Sequence, residues 1–286
     1  MITWKKTVRR MALLIAFAIL LSGFELAAYA REMLNGRATT INEYDYLLNM
    51  KERSDSELFD EGYTSEDINS IRHLEDAYSN HLRQFMVLDD AALSNLGYSN
   101  EQIMILRSFN GSEEQIRALA ATLFFDLYID FVTWSQADNR TNARLCYDFS
   151  WNGVPLIKTR DIVAVSWNDW TINGTLSYIT YVSITGTGSN LYLPATYVPN
   201  NGPTSFGGGF KFAMTQNDNY YWAKSGYGIF TLYKNYIRHD LSAYAEYGHS
   251  TVLLNPGFSI PGYGSISFTY GIDMKAQDWA DMNCQN

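Results

Sequence analysis

Hydrophobic positions follow three rhythms along the chain. Met11 to Gly23 is apolar apart from Ser22. From about residue 54 to 134 apolar residues recur at spacings of three and four, as on one face of a helix. Beyond residue 145 the period drops to two. Leu176, Tyr178, Val182 and Ile184 alternate with Ser177, Tyr181, Ser183 and Thr185, and Ile266, Phe268, Tyr270 and Ile272 alternate with Ser265, Ser267, Thr269 and Asp273. These rhythms predict an apolar leader, a helical region and a run of half-buried strands.

The leader reads as an export signal. Lys5, Lys6, Arg9 and Arg10 precede the apolar run, and Ala28-Tyr29-Ala30 has the small-x-small form cut by signal peptidase. The run is well short of the roughly 20 residues that span a bilayer. Cleavage after Ala30 starts the mature chain at Arg31, with no transmembrane segment following it. An uncleaved anchor is the competing reading. The layout is a signal peptide (1–30), a helical domain (31–135), a polar linker (136–144) and an antiparallel β domain (145–286).

Within the helical region two segments align at an offset of 35 residues, Leu58 to Arg72 and Leu93 to Arg107. In each, a short helix ends at a glycine, Gly62 or Gly97, that takes the left-handed backbone cheaply. A tyrosine follows. Thr64 or Ser99 then caps the next helix, with Asp67 or Gln102 three residues on. Ser54 with Glu57, and Ser112 with Gln115, repeat the capping spacing. From Ser112 to Trp134 the pattern predicts one longer, central helix, apolar over most of its circumference. The expected architecture is a small helical bundle.

The motif Leu-x3-Gly-Tyr-[Ser/Thr]-x-Glu-x-Ile, followed by Asn110-Gly-Ser-Glu-Glu-Gln-Ile-Arg-Ala-Leu119, resembles a group of uncharacterised secreted proteins of Gram-positive bacteria. A similar β region containing Trp begins in them as Pro155-Leu-Ile-Lys-Thr-Arg-Asp161 does here. The resemblance covers about residues 50–170. It implies export and a two-part layout, and supplies no activity and no functional residues.

In the β region Asn173-Gly174 predicts a tight hairpin. Asn217-Asp218-Asn219 and Asn255-Pro256-Gly257 mark further turns. Gly186–Asn190 and Pro199–Gly209 read as loops. About seven to nine strands with no helix between them predict a β-sandwich or open barrel. The fold class is therefore α+β in two parts.

Charge changes the picture of partners. The chain carries 21 Lys+Arg and 30 Asp+Glu, net −9, and the acids crowd into the helical region. A net-acidic chain without a basic patch does not suit nucleic acid, where affinity rests on neutralising phosphates. Cys146 and Cys284 bracket the β region, and in an exported protein they are candidates for a disulfide.

Catalytic patterns are thin. His239 and His249 are the histidines of the β region, beside Asp240 and Ser250, and no Gly-x-Ser-x-Gly elbow accompanies them. Asp148, Asp161, Asp169, Asp218, Asp240, Glu246 and Asp273 could supply a carboxylate pair for glycoside hydrolysis, yet no spacing selects one. Asn168-Asp169 and Asn217-Asp218-Asn219 lack the regular ligand spacing of a calcium loop. No metal site and no cofactor motif is found. Aromatics make up 15% of the chain. Trp167 and Trp170 flank Asn168-Asp169, and Tyr220, Tyr221 and Trp222 follow a turn, so these five form the candidate binding surface.

The reading is a secreted or envelope-associated, non-catalytic protein that binds an extracellular glycan or protein. A secreted glycan hydrolase is the alternative, and a membrane-active toxin a third. N-terminal sequencing of exported protein should start at Arg31; a mature chain that keeps residues 1–30 rejects the signal peptide.

Overall fold

The computed structural model describes residues 39–200, 206–250, 257–268 and 272–283. The expected signal peptide with cleavage after Ala30, and Cys284 with its expected bond to Cys146, lie outside the described residues, as do Asn255 and Pro256.

The helical region opens with strand β1 (Thr39–Asn42) and seven short helices follow: α1 (Glu43–Lys51), α2 (Asp55–Asp60), α3 (Ser65–Arg72), α4 (Leu74–Arg83), α5 (Asp90–Asn95), α6 (Asn100–Arg107) and α7 (Glu113–Leu119). The sequence repeat is a structural repeat. Thr64 and Ser99 form full capping boxes with Asp67 and Gln102. Gly62 and Gly97 adopt φ of 92° and 97°. The next amide, Tyr63 or Tyr98, reaches back to the carbonyl of Leu58 or Leu93. The final arginines act alike too. Arg72 donates to the carbonyls of Lys51 and Arg53 and to Asp55; Arg107 donates to those of Met86 and Leu88 and to Asp90. Each clamps the segment that enters its own repeat.

The long helix expected from Ser112 to Trp134 does not form. Helix α7 stops at Leu119, Ala120 is extended, and Thr122–Ser135 is strand β2. Leu123, Phe125, Leu127 and Ile129 are buried in strict alternation with Phe124, Asp126, Tyr128 and Asp130. Residues that looked apolar all round a helix are the two faces of a strand rich in aromatic and β-branched types. The supposed linker 136–144 is a hairpin turn, with Asn139 at φ 49°, leading into β3 (Arg140–Asn152). The helical part thus ends near residue 120, not 135.

The remaining strands are β4 (Arg160–Trp167), β5 (Thr171–Ser183), β6 (Leu191–Pro194), β7 (Thr196–Pro199), β8 (Gly207–Ala213), β9 (Thr215–Gln216), β10 (Tyr221–Lys234), β11 (Asp240–Ser250), β12 (Phe258–Gly262), β13 (Ser265–Phe268) and β14 (Ile272–Asn283). One sheet runs β1-β2-β3-β10-β5-β6, with β9 on β10, and the other β14-β11-β4-β8-β7; all pairs are antiparallel. The sheets face each other across an aromatic core. Phe149 stacks on Phe212 at 5.2 Å, and Phe125 and Phe149 meet Tyr247 edge-on. The hairpin β12–β13 covers the outer face of the second sheet, putting Phe258, Ile260 and Ile266 over Ile162, Ala164 and Tyr244.

Two local expectations fail for readable reasons. Asn173-Gly174 makes no hairpin, because β5 runs straight through it: Gly174 faces Thr231, Ile172 faces Leu232, and Asn173 is squeezed out as a bulge. The phase of β5 is also inverted, with Ser177, Ile179 and Tyr181 buried and Leu176 exposed. The turn at Asn217-Asp218-Asn219 is real, with all three residues left-handed.

Among the described residues the helices do not form a separate bundle. The inward side chains of the helices (Tyr44, Leu47, Leu58, Tyr78, Leu93, Ile116) join those of both sheets in one continuous cluster. The helices cap one end of the sandwich. Asn95 donates to the Gly186 carbonyl, Lys224 donates to the Asn95 carbonyl, and His81 donates to the Val154 carbonyl. Gly97 lies so close to β3 that an added Cβ would sit 2.9 Å from the Trp151 carbonyl oxygen. Gly62→Ala should therefore cost about 1–2 kcal/mol for the left-handed backbone, and Gly97→Ala more, roughly 3 kcal/mol, because the cap must also lift off the sheet. Denaturant titration of the two variants checks the order; equal losses reject the close approach.

Candidate functional site

The described residues hold one fully buried charged cluster. Glu43 begins α1, Asp161 lies on β4 and His249 on β11, and none is exposed to solvent. His249 Nδ1 is 2.8 Å from Asp161 Oδ1, and its Nε2 is 3.8 Å from Glu43 Oε1. Tyr247 donates to Asp161 and Tyr78 to Glu43. The backbone amides of Leu156 and Ile157 donate to Glu43 at 2.7 and 3.0 Å. Burial disfavours charge on His249, but Asp161 and Glu43 outweigh it and push its pKa up to about 10. Burial likewise opposes ionisation of Glu43, yet His249 and the donors hold its carboxyl below the usual range. His81, by contrast, is desolvated and pushed down to about 4, a neutral donor.

An Asp–His pair beside a carboxylate has the composition of catalytic machinery. A charged imidazolium without solvent access is neither a base at neutral pH nor within reach of a substrate. The cluster fastens the helical cap to the second sheet.

The sequence-nominated rings divide. Trp167, Trp170 and Trp222 are fully buried, so they form no exposed platform. Trp167 ends a strand buried on both faces, and its indole N–H donates to the Trp170 carbonyl; the Trp170 indole donates to the Asp240 carbonyl. A polar turn beside a tryptophan does not expose it when the ring points under the turn. Tyr220 is exposed and Tyr221 half-buried, packed edge-on at 4.9 Å. Cys146 is a buried thiol on β3 whose pKa burial raises to about 12.

What Trp167 and Trp170 support is a charged loop end, away from the cap. Asp169 pairs with Lys234 and Arg238, and Asp240 with Arg238. Lys234 holds the Asp169 carboxyl below its usual range, and Arg238 does the same for Asp240. The Arg238 guanidinium lies 5.6 Å over Trp170. Asn168 donates to Asp240 and accepts from the Ser242 amide. These bonds occupy the oxygens that a cation at Asn168-Asp169 would need. Thr141, itself buried, accepts from the Arg238 amide and donates to the Tyr236 carbonyl. The result is a fixed loop carrying Tyr236 and Ile237, 51% and 58% exposed, beside an open depression of about 580 Å³ that also takes in Arg238, His239 and Asp240.

Next to this loop end, on the outer face of the second sheet, lies an aromatic corner. Trp279 (48% exposed) packs on Tyr244 at 4.3 Å and meets Tyr263 (43% exposed) at 6.1 Å with their planes 89° apart. The pattern around residues 263–281 gave no warning of it. Trp279 sits among polar residues near the chain end, and only the register Tyr244↔Trp279 and the β12–β13 turn bring the three rings together.

The buried cluster makes stability depend on pH in a stated direction. His249, raised in the folded state, contributes fully below about pH 6.5 and loses that contribution as pH climbs toward 10. Glu43, lowered, contributes above the usual carboxylate range and is lost in acid. Denaturation at stepped pH should show an alkaline decline that His249→Gln flattens. Glu43→Gln at neutral pH should cost about 3–5 kcal/mol, as when one partner of a buried pair is removed. An unchanged alkaline limb in His249→Gln rejects the charged imidazolium.

No family model and no curated protein matches this chain. Among solved structures, the collagen-binding subdomain of the Enterococcus faecalis surface protein ACE is similar at 8% identity and a TM-score of 0.30, over 56% of this chain and 96% of that one. The collagen-binding domain of a Staphylococcus aureus adhesin follows at 6% identity and 0.27, over 54% and 95%. Clostridium perfringens delta-toxin aligns at 8% and 0.25, over 58% and 90%. Scores this low transfer neither ligand nor activity.

Proposed function

We propose that this is an exported, non-catalytic binding protein whose ligand engages the loop end of the sandwich. One observation carries the reading: exposed Tyr236 and Ile237 sit on a loop held rigid by Thr141, Arg238 and the Asp169 and Asp240 ion pairs. Large apolar side chains exposed on a braced loop lose little freedom on binding, so most of their contact energy appears as affinity. Solvation alone gives no reason to brace them.

Three of the nominated carboxylates are already engaged by partners, which favours binding over hydrolysis at these positions. Asp161 is sealed against His249 and Tyr247, while Asp169 and Asp240 are neutralised by Lys234 and Arg238. Export by cleavage after Ala30 belongs to the same proposal and places the protein outside the cell or on its envelope, where glycan or protein ligands are available.

The combined variant Tyr236→Ala, Ile237→Ser should reduce retention on purified cell-wall or extracellular-matrix preparations about tenfold or more. Its melting temperature should stay within a few degrees of the parent, since both side chains are exposed. Retention equal to the parent, or no retention of the parent on either material, rejects the proposal.

A further inference from the structure

We infer that the Trp279–Tyr263 corner is a subsite for a neutral sugar ring, stacked on the indole. The inference rests on the reading of this end of the sandwich as the binding end, and names the ligand class that one part of it takes.

The first ground is preorganisation of the indole. One side of Trp279 is backed by Tyr244, whose hydroxyl is fixed by donation to the buried carboxylate of Glu246. Glu246 is itself held by the Gln277 amide, which donates to it at 3.0 Å. The rim of the indole rests on Gly264, where an added Cβ would lie 2.9 Å from the ring and φ is 76°. Gly264 is pinned in turn by its amide, which donates to the Ser166 hydroxyl at 3.2 Å. Tyr263 stands perpendicular to the indole, with its hydroxyl in hydrogen-bonding reach of Ser242. An indole on a strand, backed by one ring and walled by another, offers a flat, immobile surface. That is what a pyranose needs for its C–H face, and such a ring sacrifices little entropy on contact.

The second ground is the polarity of the rim. Side chains two apart on a strand share a face, so Gln277 and Asp281 flank Trp279. Asp281 offers carboxylate oxygens. The Gln277 NH2 group donates to Glu246, and its side-chain carbonyl remains a further acceptor. The rim thus carries the Asp281 carboxylate and the Gln277 carbonyl as acceptors, with the indole N–H and the Tyr263 hydroxyl as donors. Sugar hydroxyls, each able to donate or accept, can pair with such a mixed rim all round a pyranose, whereas a peptide offers one N–H per residue in a fixed direction. Lys275, next along the face, is drawn over Phe268 at 5.5 Å. A basic side chain is the other donor-rich ligand; it would depend on Asp281 and weaken with salt, which a neutral sugar does not.

The full-length mature protein, probed on an array of neutral oligosaccharides, should bind at least one class, with a change in tryptophan fluorescence and little dependence on salt. Trp279→Ala should weaken that binding about tenfold or more, Tyr263→Ala and Asp281→Asn severalfold, and Trp279→Phe less than Trp279→Ala. Circular dichroism and melting confirm folding; should Trp279→Ala misfold, the Tyr263→Ala and Asp281→Asn variants decide. Failure to bind any neutral oligosaccharide, binding indifferent to these corner substitutions, or salt-sensitive binding to basic peptides in its place overturns the subsite. If sugars fail but the loop variant still abolishes retention on extracellular material, the subsite falls and the binding function stands.

Discussion

The structure depends on one buried imidazolium. His249 stands between Asp161 and Glu43, with no solvent to share the charge. Each partner comes from a different element: β4, β11 and the first residue of α1. Taking three ionisable groups out of water is costly, and the attraction among them repays it only when the geometry and the surrounding donors are right. Tyr78, Tyr247 and the amides of Leu156 and Ile157 supply those donors. The first turn of α1 must therefore lie against the sandwich, and the repeat that follows is set from there.

Much of the helical region was legible because its signals are local. Gly62, Gly97, Thr64 and Ser99 act within a few residues of themselves, and the repeat made them visible twice. Residues 120–135 were misread because Leu123 to Phe131 satisfies a helical period and a strand period at once. The arbiter is Ala120, whose extended backbone lets the chain pair with β3, and pairing is not written locally. Asn173-Gly174 failed in the opposite way: a strong turn signal was overridden by β10, which pairs along both sides of it.

The candidate site was legible only in part. Asn168, Asp169, Trp167 and Trp170 do lie together at the loop end, but the two tryptophans are buried beneath it and not exposed as expected. The residues that reach solvent there, Tyr236 and Ile237, carry no motif. The aromatic corner joins Tyr244, Tyr263 and Trp279 through strand register, so sequence distance conceals it. Nothing near His249 in the chain announces Asp161 or Glu43 as its partners.

The distance along the chain between Glu43 and His249 also sets an order of assembly. A chain made from its N-terminus forms the capped helices and arginine clamps first, since those contacts are close in sequence. The apolar faces of the helices then wait for β2 and β3. The carboxylate of Glu43 waits longer still, until β11 supplies its cation. A product stopped short of His249 has all its helices and the first sheet, but lacks β12 to β14 and the cation that Glu43 needs. Such a chain keeps Glu43 and Asp161 without their shared cation, so its fold is expected to open more readily than that of the full chain.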